Sequence, residues 1–319
     1  MEDLYVQGAV FLLSSIVLVK TASMAVKEVT NLARVFYISE FITAFVLGGF
    51  ISMLPEFFVG VNSALEGVPI VGVGTLIGNN IVDLTLVFGI IAILGKDIPV
   101  SRSERSGALP FLIMVGLPLG LMLDGNLNRL DGLLLVIAAL IYFIRIFSQH
   151  AMQDKKRPVR RHLLMKPLLF FGAAMLVMFG SAHFVVESAV NVADGLNIPA
   201  LFAGLFLISI GAALPELTLS VKAVLSRHKA IAVGDIMGNV MIDSTFALGV
   251  LALISPVAVD VGAVGIATLF MVFAALLVTT LMDSGGKLTQ REGYALIGLY
   301  VVFVAVQLAL SSGNGFGVS

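Results

Sequence analysis

The sequence has 319 residues, of which 59% are hydrophobic and only 12% are charged, and its formal net charge is −1. A water-soluble protein with so few charged residues could not cover its surface, whereas a lipid bilayer requires no such cover. The chain has no excess of positive charge, so the composition does not indicate a nucleic-acid-binding protein. The absence of cysteine excludes disulfide bonds and thiolate metal ligands. The composition predicts a protein embedded in a lipid bilayer.

Ten apolar segments, separated by charged and turn residues, follow one another along the chain. Most are close to the ~20 residues that a helix needs to cross the hydrocarbon core. The long polar stretch at residues 149–165 divides the ten segments into two sets of five. The sequence thus predicts an all-α integral membrane protein with transmembrane helices near residues 4–26, 37–64, 69–94, 107–123, 130–148, 166–190, 198–225, 230–254, 262–282 and 292–311.

The distribution of lysine and arginine predicts the orientation of these helices. With the N-terminus outside, 18 of the 19 basic residues fall in or beside alternate loops that face the cytoplasm, and Arg129 is the exception. Cytoplasmic loops of membrane proteins carry such an excess of positive charge. We therefore expect a multi-pass protein of the plasma membrane, with both termini outside and the linker at residues 149–165 in the cytoplasm.

One stretch of the sequence occurs twice, at a constant spacing of 160 residues. Each copy contains Leu-Pro-Glu in one apolar segment and a Gly-Asn pair followed by Asp in the next. Ionisable residues inside apolar segments are costly and are functional by default. The acids and amides that recur are Glu56, Asn79 and Asp83 in the first copy and Glu216, Asn239 and Asp243 in the second.

An odd number of helices in each half makes the second half enter the membrane from the opposite face. The sequence therefore predicts two inverted-topology five-helix repeats, residues 1–148 and 166–319, with the duplicated motifs at about 45–90 and 204–250. Transporters built in this way bind substrate near the middle of the bilayer, where the halves meet, and expose the site alternately to each side.

The duplicated residues offer oxygen ligands. Pro55 and Pro215 lack an amide hydrogen, so each leaves one carbonyl of the preceding turn without its helical partner. Ser52 lies four residues before Glu56, on the same helix face. Carboxylate, amide and carbonyl oxygens suit Ca²⁺, Na⁺ or Mg²⁺ rather than Zn²⁺ or Cu²⁺. The candidate ion ligands are Glu56, Glu216, Asp83, Asp243, Asn79, Asn239 and Ser52.

Four carboxylates at one place would carry more negative charge than one Ca²⁺ neutralises. Protons or monovalent cations could then replace the divalent ion at the same oxygens, which is the basis of antiport.

The two motifs resemble those of the Ca²⁺:cation antiporter superfamily, and most closely its prokaryotic Na⁺/Ca²⁺ exchanger branch. Gly49 to Gly60 and Gly74 to Gly89 match the first alpha-repeat of that family, and Gly204 to Ser220 and Gly234 to Gly249 match the second. The similarity extends over the whole ten-helix plan.

The resemblance implies roles for the duplicated residues. Glu56 and Glu216 would be the central Ca²⁺ ligands, and Asp83 and Asp243 would complete a diamond of acidic positions. Asn79 and Asn239 stand where relatives often carry serine.

The family pattern Gly-Thr-Ser-Leu-Pro-Glu is only partly kept. Its hydroxyl residues help to bind Na⁺ in the family, but Met53, Ala212 and Ala213 replace three of the four, and only Ser52 remains. The presence of aspartate at both 83 and 243 also resembles the K⁺-dependent branch. The four acids favour Ca²⁺, and the counter-ion is left open between Na⁺ and H⁺.

The sequence thus predicts a secondary active antiporter that exchanges Ca²⁺ for Na⁺ or H⁺, and not an enzyme. It requires no cofactor and no oligomer. The first alternative is a Ca²⁺/H⁺ exchanger without Na⁺ coupling. A passive cation channel fits less well, because two inverted halves are not needed to form a pore. An intramembrane aspartyl protease would leave the paired glutamates without a role.

Overall fold

The computed structural model describes residues 2–35, 53–100, 107–150, 165–196, 198–227 and 229–313. Ser52 and residues 151–164 of the predicted linker lie outside these ranges. Nearly all described residues are helical. The helices are α1 Glu2–Val35, α2 Leu54–Leu65, α3 Pro69–Gly95, α4 Ala108–Leu121, α5 Arg129–His150, α6 Met165–Gly195, α7 Ala200–Leu225, α8 Lys229–Ile242 continued through Leu248–Ile254, α9 Ala263–Gly285 and α10 Gln290–Gly313.

Seven helices within the described ranges are long and apolar enough to cross a membrane: α1, α3, α6, α7, α8, α9 and α10. A shorter apolar helix covers Ala108–Asp124. The protein is therefore a mostly helical, multi-pass membrane protein, as the composition predicted.

The first helix is longer than the sequence predicted. We expected α1 to end near residue 26, where charged residues begin, but it continues to Val35. The added segment contains no glycine or proline, so nothing in its backbone stops the helix. Charge marks where a helix leaves the apolar layer, and it does not mark where the helix ends.

Two short antiparallel strand pairs, which the sequence did not predict, connect loops of the otherwise all-α protein. β1 (Asp97–Pro99) pairs with β4 (Lys287–Thr289), and β2 (Asn126–Leu127) pairs with β3 (Val257–Ala258). Strands of two or three residues are too short to show an alternating pattern in a sequence. Each pair joins one strand from the first half of the chain to one from the second.

The end of α3 is also held by the second half of the chain. Lys229 Nζ donates hydrogen bonds to the carbonyl oxygens of Gly95 and Asp97, each at 2.8 Å. Lys287 Nζ lies 3.1 Å from Asp97 Oδ2. The last carbonyls of a helix lack partners within the helix, and a lysine satisfies them and complements the helix dipole.

Helices α3 and α8 form the centre of the molecule. In each of them, 83% of the membrane-length apolar stretch is buried, compared with 28% in α1. The main apolar cluster surrounds these two helices and draws on α4, α5, α7, α9 and α10. A second cluster joins α1 to α6 and reaches α2, α3 and α7 through Val59, Val71, Ala203 and Ile208.

Glycine allows α3 and α7 to cross in backbone contact. A Cβ atom on Gly204 would lie 2.3 Å from the Val71 carbonyl oxygen and 2.8 Å from the Thr75 amide nitrogen. One on Gly78 would lie 2.5 Å from the Leu205 carbonyl oxygen. Since backbone atoms cannot move aside as a flexible side chain can, any larger residue must push the helices apart.

We therefore expect Gly204→Ala to destabilise the protein by about 3 kcal/mol, the upper part of the usual range for overpacking. Gly180→Ala on α6 is the matched control, because a Cβ atom there would have no neighbour within 4 Å. Thermal unfolding of the detergent-purified variants would measure the difference. Equal melting temperatures for the two variants would contradict this close crossing.

Candidate ion-binding site

The two glutamates occupy equivalent positions at the starts of helical segments. Glu56 lies in the first turn of α2, and Glu216 lies in the first turn of the Leu214–Leu225 segment of α7. The residues before these segments, Met53 and Ala213, have nearly the same backbone angles, φ −68° and ψ −12° compared with φ −70° and ψ −10°.

The helix break before Glu216 in α7 is short. The sequence predicted that proline leaves one carbonyl of the preceding turn without its helical partner. Only Ala213 separates Ser209–Ala212 from Leu214–Leu225, and its amide still donates to the Ser209 carbonyl oxygen at 3.0 Å. Proline is well tolerated in the first turn of a helix, so a new helical segment begins there immediately. The equivalent break before α2 falls at the edge of the described residues.

The two aspartates begin wider, π-helical turns. Asp83 starts the π segment Asp83–Val87 in α3, and Asp243 starts the segment Asp243–Ala247 in α8. The hydroxyls of Thr85 and Thr245 donate to the carbonyl oxygens of Ile81 and Met241, at the points where the backbone bonding pattern changes. Such π turns occur often at functional sites. The sequence carries no signal that predicts them.

The structure brings the four acids together in the interior. Glu56, Asp83 and Asp243 are 0% exposed and Glu216 is 2% exposed. The Glu216 carboxyl interacts electrostatically with those of Glu56, Asp83 and Asp243, and the Glu56 carboxyl also interacts with both aspartates. Four acidic side chains from α2, α3, α7 and α8 thus share one buried region.

The two asparagines connect the halves of this region. Asn79 Nδ2 on α3 donates to Asp243 Oδ2 on α8 at 3.4 Å, and Asn239 Nδ2 on α8 donates to Asp83 Oδ2 on α3 at 3.0 Å. Because an amide nitrogen donates to each aspartate, the amide oxygen of each asparagine is left for another partner. The sequence predicted the asparagines as ion ligands but not this exchange of bonds between halves.

Most oxygens of the site have no hydrogen-bond donor among the described residues. Both oxygens of Glu56 and of Glu216 lack one, as does one Oδ1 atom in each of Asp83, Asp243, Asn79 and Asn239. Burying a carboxylate without a partner is strongly unfavourable. The six carboxylate oxygens among them therefore need a cation or protons, the two amide oxygens can bind a cation as neutral ligands, and hard cations are the metals that prefer such ligands.

The acids are close enough to interact but are not already arranged around one point. Across the part of the chain that the structure describes, no three acidic or histidine side chains form a ready set of metal ligands.

The positions at which the family pattern expects hydroxyl groups are buried and apolar. Met53, Ala212 and Ala213 are at most 3% exposed, and none of these side chains carries an oxygen. Ser52, the remaining hydroxyl, lies outside the described residues. Among the described residues that the sequence predicted as ion ligands, the oxygens are therefore those of carboxylates and amides.

Among curated proteins, the chain is similar to one that is named as a putative antiporter. It is 28% identical over 313 residues to the putative antiporter CaxA of Alkalimonas amylolytica, a match that covers 94% of this chain and 97% of that protein.

Solved exchanger structures share the fold. The sodium-calcium exchanger NCX_Mj superposes with a TM-score of 0.70 at 23% identity, covering 95% of this chain and 99% of that one. The H⁺/Ca²⁺ exchanger CAX superposes with a TM-score of 0.78 at 16% identity, covering 96% and 85%. Because both identities are low, these likenesses concern the fold.

The family profile described as "Sodium/calcium exchanger protein" matches residues 6–147 and again residues 166–309, which together make up most of the chain. The chain therefore belongs to the sodium/calcium exchanger protein family, within the Ca²⁺:cation antiporter superfamily that its motifs predicted, and it is a transporter rather than an enzyme.

Proposed function

We propose that the protein is a secondary active antiporter that moves Ca²⁺ across the membrane in exchange for Na⁺ or H⁺. The observation that carries this proposal is the buried group of four carboxylates, which come from matched positions of both halves and keep oxygens without hydrogen-bond donors. In this proposal Glu56, Glu216, Asp83 and Asp243 bind the ion through their carboxylates. Asn79, Asn239 and Ser52 add neutral oxygens.

Several contacts support an inverted repeat of five helices. The bond from Asn79 to Asp243 and the bond from Asn239 to Asp83 are exchanged by the 160-residue spacing. Each of the two strand pairs joins one strand from each half, and the family profile matches once in each half. We propose residues 1–148 and 166–319 as the two repeats, with ten transmembrane helices in all.

Alternating access follows from this arrangement. If the halves have opposite orientations, each can adopt the conformation of the other, and the shared site is then exposed to the opposite side. A bound Ca²⁺ would draw the four carboxylates together and neutralise part of their charge. Protons or Na⁺ would do the same on the return step, because an empty site would leave several buried negative charges unpaired.

Transport by the purified protein in liposomes would test the function. Uptake of radiolabelled Ca²⁺ would be measured with an outward Na⁺ gradient, an outward H⁺ gradient, both, or neither. An antiporter is expected to accumulate Ca²⁺ only when a gradient is imposed, and the gradient that drives uptake identifies the counter-ion. Ca²⁺ flux that runs only down its own gradient would support the channel alternative instead.

Restoring the missing hydroxyls should increase the dependence on Na⁺. Ala212 and Ala213 stand where the family pattern has Thr and Ser, and hydroxyl oxygens suit Na⁺. We expect the double variant Ala212→Thr/Ala213→Ser to need about tenfold less Na⁺ for half-maximal exchange, the effect of about 1.4 kcal/mol of added ion-binding energy. Unchanged Na⁺ dependence in a folded double variant would show that these positions do not face the ion.

The predicted topology places the linker in the cytoplasm of a protein of the plasma membrane. We expect a cysteine at Gln153 to react with a membrane-impermeant thiol reagent only after the cells are opened, because basic segments stay on the cytoplasmic side. The chain has no native cysteine, so no background labelling arises. Labelling of intact cells would reverse the proposed orientation.

A further inference from the structure

A second polar contact lies directly beside the acidic site. Asn80 Nδ2 on α3 donates to Ser244 Oγ on α8 at 3.0 Å and lies 3.4 Å from Met271 Sδ on α9. Ser244 Oγ in turn donates to the Val240 carbonyl oxygen at 2.7 Å. Asn80, Ser244 and Met271, here called the Asn80 cluster, are each at most 2% exposed.

The Asn80 cluster is continuous with the ion site. Asn80 follows Asn79 in sequence, and Ser244 follows Asp243. The bond from Asn79 to Asp243 and the bond from Asn80 to Ser244 are therefore neighbouring cross-links between α3 and α8. A displacement of α8 relative to α3 that separates Asp243 from Asn79 would therefore also strain the bond between Asn80 and Ser244.

The other half of the site has no such second cross-link. The 160-residue spacing assigns Val240, Leu84 and Phe111 as the counterparts of Asn80, Ser244 and Met271. All three are buried and apolar, so they cannot repeat the hydrogen bond. The Asn79 to Asp243 bond therefore has a second hydrogen bond between α3 and α8 beside it, and the Asn239 to Asp83 bond does not.

The Asn80 cluster contains a buried polar atom without a hydrogen-bond donor in the described part of the chain, which lowers the stability of the protein. Asn80 Oδ1 is buried and has no hydrogen-bond donor among the described residues. An unsatisfied buried carbonyl destabilises a protein, whereas valine, the residue at the counterpart position, would avoid that cost. A buried asparagine at this position is better explained by its hydrogen bond to Ser244, the residue next to Asp243.

We propose that Asn80, acting through Ser244 and Met271, is a positioning residue that fixes the Asp243 side of the site and makes the two aspartates unequal ligands. The inference rests on the proposed function, because it concerns how that same site binds Ca²⁺. A carboxylate already held in place loses less conformational freedom when an ion binds. Asp243 is then the better-ordered ligand, and Asp83 is the one that adjusts.

A double-mutant cycle on Asn80→Ala and Ser244→Ala tests this inference. Ca²⁺ affinity would be measured by calorimetry on the purified full-length protein, beside the melting temperature without Ca²⁺. Each single variant is expected to weaken Ca²⁺ binding about three- to tenfold, as for the loss of one buried hydrogen bond. The double variant should be no weaker than the poorer single variant, because both remove the same contact. Ser244→Thr keeps the hydroxyl and should bind like the unmodified protein.

The possible failures are distinguishable. If the unmodified protein binds no Ca²⁺, both the proposed function and this inference are overturned. If it binds Ca²⁺ and the single variants bind equally well, only the inference is overturned. Effects of the two substitutions that multiply independently, or a lowered melting temperature with unchanged affinity, would show that the Asn80 cluster serves packing alone.

Discussion

Glu56→Gln and Glu216→Gln are each expected to reduce Ca²⁺ exchange by about a hundredfold or more, because the charge of its carboxylate ligands largely sets the affinity of a Ca²⁺ site. Both glutamates are buried, and none of their side-chain oxygens has a hydrogen-bond donor among the described residues. Replacing one carboxylate oxygen by an amide NH₂ removes a negative charge and places a donor where the ion needs an acceptor.

The same substitutions should leave the protein folded. An uncharged glutamine relieves the repulsion among four buried acids, so the melting temperature without Ca²⁺ is expected to stay the same or to rise. Glu187→Gln is the matched control: this side chain on α6 is 56% exposed and lies outside the acidic site. Exchange in liposomes measures all three variants, and near-normal transport by folded Glu56→Gln protein would remove that residue from the proposed site.

The duplicated motif is what made the grouping of the four acids predictable from the sequence. A constant spacing of 160 residues pairs Glu56 with Glu216 and Asp83 with Asp243, and an inverted repeat brings equivalent positions to a common centre. The structure does place these four carboxyl groups together in the interior. Long apolar segments separated by charge likewise predicted the membrane-spanning helices, although α1 runs past the predicted end.

Other features depend on contacts between distant segments and left no local signal. The π turns at Asp83 and Asp243 concern one extra residue per turn, which does not change the apolar pattern. The strand pairs involve only two or three residues each. The Asn80 to Ser244 bond joins residues 164 positions apart. The equivalent positions of the other repeat carry valine and leucine, so a comparison of the two repeats shows only a difference there and does not predict the bond.

In the proposed ion site, the two asparagines that join the halves would allow stability and ion binding together. Each donates its amide hydrogen to one aspartate oxygen and leaves its own carbonyl oxygen free. A basic residue in the same place would neutralise the aspartate and exclude a cation. The amide instead orients the carboxylate and keeps its charge available, as the proposed binding of a cation at this place requires.

Ca²⁺ binding is expected to weaken as the pH falls. Protons and Ca²⁺ compete for the same buried carboxylate oxygens, and a carboxyl group must release its proton before it can bind the metal. At low pH the protonated site resists Ca²⁺, and as the pH rises this competition disappears. For each proton displaced, the apparent dissociation constant for Ca²⁺ should rise about tenfold per unit decrease in pH within the range in which the site titrates.

Calorimetry on the purified protein at a single pH involves no proton gradient, so it measures only the competition between protons and Ca²⁺. Titrations in two buffers with different ionisation enthalpies would count the protons released when Ca²⁺ binds. Asp83→Asn and Asp243→Asn should each lower that number, since each removes one carboxyl group that can carry a proton. If the Asn80 cluster orders Asp243 as proposed, Asp243→Asn should weaken Ca²⁺ binding more than Asp83→Asn does. An affinity that stays constant from mildly acidic to mildly alkaline pH would mean that the four carboxylates do not bind Ca²⁺ together.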